Sequence, residues 1–145
     1  MLLVIDANIL VGESLRKRGQ ELFSNPALEI FATQKVVEEY EYELAKRMEA
    51  MVRKGNQNLQ SAQALRAAAI QCIEKNIQPV PEPIYLSNKM QALLRIPRDP
   101  QDWPTVALAL VLEAGIWTAD GDFLGCGLPT WTTETLSAYL ASNTS

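Results

Sequence analysis

The first six residues constrain the fold more than any other part of the chain. Leu2-Leu3-Val4-Ile5 is an apolar run that meets Asp6 at once. Four residues are too few for a core helix, and they suit a buried parallel strand that delivers its next residue into a loop. They are also too few for the apolar region of a signal peptide or for a membrane span, so the expected setting is cytoplasmic, with no membrane partner. Similar short runs recur at 29–32, 77–80, 116–118 and 130–132. Pro79, Pro81 and Pro83 keep the third of these short or at a sheet edge.

Between the runs lie helical patterns. The stretch from Asn8 to Phe23 reads as one helix, stopped by Asn25-Pro26. Thr33 suits the N-cap of a long charged helix to about Lys54, in which Val36, Val37, Tyr40, Leu44, Met48 and Met51 approximate an apolar stripe. Further helices are expected at about 59–76, 84–94 and 106–114, the last stopped by Gly115, and a final one is expected with Thr133 as its cap. Parallel neighbours need crossover helices, so this alternation predicts a three-layer α/β/α sandwich around a mainly parallel sheet of four to five strands. A chain of 145 residues, 48% hydrophobic, fits one domain over 1–145.

Composition removes several chemistries. There is no histidine, which excludes Ser-His-Asp and Cys-His catalysis and deprives a zinc site of its commonest partner. Cys72 and Cys126 form no close sequence pair, in keeping with a reduced protein. The net charge of −4 argues against a generic polyanion binder. The charge is unevenly spread, however: all 13 Lys and Arg lie at or before Arg98. A basic face beside an acidic site is therefore compatible with the sequence.

The acids sort by type. The glutamates are mostly scattered along helical stretches, whereas the five aspartates, Asp6, Asp99, Asp102, Asp120 and Asp122, all fall at strand ends or in strand-like loops beside helix starts. Ligands of open parallel sheets sit beyond the carboxyl ends of the strands, where Asp6, Asp120 and Asp122 are expected. Taken singly, Asp102 also reads as a helix N-cap and Asp120-Gly121 as a turn. Taken together, they point to a carboxylate site for a hard divalent cation, Mg²⁺ or Mn²⁺, that activates water. Glu38, Glu39, Glu41 and Glu43 also complement the dipole of their helix, and periodicity alone does not choose among them.

Four segments in order resemble the PIN-domain family, in its VapC-like form: Val4-Ile5-Asp6-Ala7-Asn8, Val36-Val37-Glu38-Glu39-Tyr40, Arg98-Asp99-Pro100-Gln101-Asp102, and Trp117-Thr118-Ala119-Asp120-Gly121-Asp122-Phe123. The resemblance implies a metal-dependent ribonuclease, often the toxin of a toxin–antitoxin pair, with RNA as substrate, an antitoxin as a possible partner and a homodimer as the assembly. It implies Asp6, Glu39, Asp102 and Asp120 as the carboxylate quartet and Asp122 as an added metal ligand. Asn8 and Thr118 would position neighbouring groups by hydrogen bonds. Two departures from the family pattern are Trp103-Pro104 at the start of the helix and the extra carboxylate of Asp99, as ligand or loop brace. Trp103 is the tryptophan suited to contact substrate, whereas Trp117 and Trp131 lie in apolar strand contexts expected to be core. A domain of this fold that binds RNA or protein without cutting is the alternative.

Overall fold

The computed structural model describes residues 1–143. Five strands form one sheet: β1 (Leu2–Ile5), β2 (Glu29–Thr33), β3 (Ile77–Val80), β4 (Gly115–Trp117) and β5 (Thr130–Trp131). All four pairings are parallel and the order is β3-β2-β1-β4-β5. Chain order therefore runs outward from β1 to one edge, then restarts beside β1 with β4. That reversal opens a crevice between the carboxyl ends of β1 and β4, where this class of sheet presents its ligand site.

The helices are α1 (Ala7–Ser14), α2 (Lys17–Phe23), α3 (Gln34–Arg53), α4 (Leu59–Asn76), α5 (Glu82–Tyr85), α6 (Lys89–Arg95), α7 (Trp103–Leu112) and α8 (Thr133–Ser142). They cover both faces of the sheet, as strands buried on both sides require. Alternation along β1 sends Leu3 and Ile5 into one core with residues of α1 to α4 and Leu136 of α8, and Val4 into the other with α5, α6 and α7. On β4, Trp117 joins the first core and Ile116 the second. The expected three-layer α/β fold is thus present, with a sheet that is wholly parallel. Among the described residues no helix is long and apolar enough to cross a membrane, and both cysteines are free thiols.

Several element boundaries differ from the sequence reading. The stretch 8–23 is two helices, because the chain leaves helical geometry at Arg16 (φ −115°, ψ 143°). The break lets Arg16 and Arg18 reach back to the buried Glu13. The 84–94 segment is likewise divided, with a 3₁₀ turn over Leu86–Asn88 between α5 and α6. Helix α7 starts and stops earlier than expected. Its left-handed end is Glu113 (φ 53°), while Gly115 opens β4 against the Trp131 indole, where an added Cβ would stand 3.1 Å from Nε1. The cap of α8 is Thr132, in a reciprocal capping box with Thr135. Thr133 instead accepts the Trp117 Nε1–H at 3.1 Å, which lets the fully buried indole satisfy its one donor.

Candidate metal centre

Asp6 is the N-cap of α1, directly after β1. It is 8% exposed, yet its carboxylate is held on both sides: Oδ1 accepts the Ala7 N–H at 2.8 Å and Oδ2 accepts the Thr118 hydroxyl at 3.0 Å. Thr118 follows β4, so this bond crosses the crevice between the two strands. The same hydroxyl accepts the Asp120 N–H at 2.9 Å, and Asp120 Oδ1 in turn accepts the Asp122 N–H at 2.9 Å. These local bonds fix the loop after β4 as a compact turn and leave its carboxylates pre-set.

From the other side comes the loop before α7. Asp99 Oδ1 accepts the Gln101 N–H at 3.2 Å, and a 3₁₀ turn over Pro100–Asp102 carries Asp102 to the helix start. Asp102 occupies the N-cap position without making a side-chain cap bond. The capping explanation for this aspartate therefore fails, and its carboxyl faces other acids. Asp99, Asp102 and Asp120 each present an oxygen such that all three lie within 4.8 Å of one another.

The electrostatic consequences follow from that crowding. The Asp102 carboxyl is pushed up to about 7, first by burial and then by Asp6, Asp99 and Asp120. Burial also raises Asp6; the hydrogen bonds from Thr118 and Ala7 oppose it, while Asp120 and Asp99 add to it. Like charges this close cannot all ionise near neutral pH without compensation. The donor set consists of hard carboxylate oxygens, so the residues fit a divalent cation of the Mg²⁺ or Mn²⁺ kind.

The other expected site residues are placed differently. Glu39 is exposed on α3, and neither it nor Asp122 belongs to the three-acid group; Asp122 instead borders a groove containing Arg95 and Arg98. Asn8 is exposed on the first turn of α1, beside a cleft lined by arginines. Trp103 follows Asp102 and lines a cleft of about 570 Å³ together with Lys35, Glu38 and Lys89. The Lys89 ammonium lies 4.9 Å from its ring centroid. Of the other tryptophans, Trp117 is fully buried, and Trp131 is partly buried against Tyr139. Sequence reasoning gave no weight to Glu13, whose burial had no signal beyond the two arginines that follow it.

A family model described as the PIN domain matches residues 4–141. The chain belongs to the PIN-domain family. This PIN domain is also similar in structure to the crystal structure of FitAcB from Neisseria gonorrhoeae, with a TM-score of 0.55 over 91% of this chain and 98% of that one. Identity there is 16%, so the likeness concerns the fold. Among curated protein sequences none matches the chain. In this PIN domain the acidic group lies at the crevice between β1 and β4.

Proposed function

We propose that this PIN domain is a ribonuclease that hydrolyses RNA phosphodiester bonds with Mg²⁺ or Mn²⁺ held by its acidic group. The observation that carries the reading is the approach of Asp99, Asp102 and Asp120 within 4.8 Å, beside the buried Asp6, at the reversal point of the sheet. Asp102 and Asp120 would hold the cation, with Asp99 completing the set and Asp6 contributing charge from behind. The hydrogen bonds to Asp6, Asp99 and Asp120 orient these carboxylates before any ligand arrives, which lowers the cost of assembling the site. Bound there, a divalent cation would lower the pKa of its water and offset the charge that develops on the phosphodiester.

Glu39, Asp122, Asn8 and Trp103 enter the proposal through the family pattern: Glu39 as a fourth carboxylate, Asp122 as an additional ligand, Asn8 and Trp103 as contacts to substrate. A single domain over 1–145, a homodimer and an antitoxin partner belong to the same reading. Exposed Ile84, Leu86, Met90 and Leu94, spread over α5, the 3₁₀ turn and α6, support an interface between chains.

End-labelled single-stranded and structured RNAs, incubated with Mg²⁺ or Mn²⁺, test the activity. Cleavage by the wild type that disappears with EDTA and in Asp102→Asn is the expected result. An uncut RNA set, combined with no divalent-ion binding by calorimetry, would leave a non-catalytic binding module as the function.

A further inference from the structure

On the α1 side of the crevice lies a cleft of about 350 Å³, bordered by Asn8 and Ala119 and lined by Arg16, Arg18 and Arg47. Asn8 is two residues beyond Asp6, and Ala119 joins Thr118 to Asp120, so the cleft shares its wall with the acidic group. At its floor Glu13 is buried, 3% exposed. Arg16 Nη1 pairs with its carboxylate at 3.3 Å and Arg18 Nε at 3.2 Å. Arg18 also reaches Glu134 at 3.4 Å through Nη2. Arg47, from α3, packs its guanidinium over Gly12, 3.6 Å from where a Cβ would stand there. Among the described residues no carboxylate pairs with Arg47.

Two features set this cleft apart from the other basic grooves near the site. Its three arginines face Glu13 and Glu134, leaving an excess positive charge, whereas Lys35 and Lys89 share their cleft with Glu38 and Glu82. In the groove beside Asp122, Arg95 is committed to the Cys126 carbonyl at 2.9 Å, which leaves a single further arginine, Arg98, sharing that groove with the Asp122 carboxylate. In addition, Glu13 holds two of the arginines by hydrogen bonds from below. A pre-oriented guanidinium loses less freedom when it meets a second anion, and its planar fork suits the paired oxygens of a phosphate.

We infer that this cleft binds the backbone phosphates of a single-stranded RNA beside the acidic group, with Arg47 as the uncommitted cation and Glu13 positioning Arg16 and Arg18. The inference rests on the ribonuclease reading for its ligand. It also resolves how a chain of net charge −4 engages a polyanion: the attraction is local.

Arg47→Gln is the informative variant, because Arg47 is exposed and its loss leaves no buried charge unpaired. Binding of a fluorescent single-stranded RNA is followed by anisotropy across a salt series, in an Asp102→Asn background so that the probe stays intact. Arg47→Gln is expected to weaken binding roughly 5- to 10-fold and to reduce the slope of log K against log salt by about 0.7, the effect of one lost phosphate contact. Arg66→Gln, on the distant α4, is expected to leave both quantities unchanged. Equal affinities and slopes for Arg47→Gln and its parent, an equal loss in Arg66→Gln, or no RNA binding by the parent would each overturn the inference. Wild-type cleavage is measured alongside. Cleavage with Arg47-independent binding removes the cleft and keeps the ribonuclease; Arg47-dependent binding without cleavage does the reverse.

Discussion

One hydroxyl connects the two strands that frame the crevice: Thr118 donates to Asp6 and accepts from the Asp120 N–H. Thr118→Val keeps the shape but leaves a buried carboxylate short of a donor, which is expected to cost about 1–3 kcal/mol in urea unfolding at pH 8. Thr118→Ser retains the hydroxyl and is expected to recover most of that; an equal loss in both variants would assign the effect to packing. Asp102 supplies the pH dependence. Its pKa rises from 3.8 to about 7 on folding, so the stability that comes with its protonated form is complete below about pH 4 and is lost as pH rises through 7. In EDTA the melting temperature is therefore expected to fall between pH 5 and pH 8, and to fall less in Asp102→Asn. A wild type and variant with the same pH profile would contradict the crowding of charges. The acids of the three-membered group were visible in the sequence as aspartates at strand ends and helix starts. The role of Asp99 was not, because spacing within a proline-flanked loop does not say whether a carboxylate braces its own backbone or faces its neighbours. Here it accepts from Gln101 and also stands within the group.

The elements show why some boundaries were readable and others were not. Helix α4 and strand β3 follow their sequence pattern because local signals mark their limits: the Asn58 side chain caps α4, and Pro79 and Pro81 keep β3 short where it pairs with β2. The break between α1 and α2 depends instead on a distant partner. Glutamate is almost never fully buried unless paired, and nothing in the local pattern marks Glu13 as the paired exception. Its burial with Arg16 and Arg18 requires the chain to turn, and Tyr40 from α3 secures the turn through a 2.8 Å hydrogen bond to the buried Ser14 hydroxyl. Gly19 permits α2 to lie against Glu13, since a Cβ there would meet the Glu13 carbonyl oxygen and its side chain. Gly19→Ala is consequently expected to destabilise the fold by about 1–3 kcal/mol through overpacking, although alanine favours helix. Denaturant midpoints for Gly19→Ala and for Gly12→Ala, where the added methyl meets only ordinary contact with Arg47, discriminate. Equal midpoints would mean that the α1–α2 junction yields freely.

At the scale of the molecule, function depends on an order that no local pattern encodes. Alternating strands and helices announced a parallel sheet, but the placement of β4 beside β1 rather than outside β3 is decided by global packing, with Trp117 and Ile116 each entering a different core. That placement brings Asp6 into the electrostatic reach of Asp120, more than a hundred residues later, and the Asp99–Asp102 loop closes over them. The folded chain thus assembles a concentration of negative charge that the unfolded chain lacks. A cation that binds only the folded form stabilises it by mass action, about 2.7 kcal/mol when free cation exceeds its dissociation constant a hundredfold. For a chain of this length, Mg²⁺ or Mn²⁺ at pH 8 is expected to raise the melting temperature by several degrees over EDTA. The increment should shrink toward pH 5, where protons compete for Asp102, and should largely vanish in Asp102→Asn. Ca²⁺ and monovalent salt at matched ionic strength separate site binding from screening. If salt alone reproduces the shift, the acidic group merely repels itself and holds no ion; if only the divalent cations do, assembly of the sheet and assembly of the metal centre are one event.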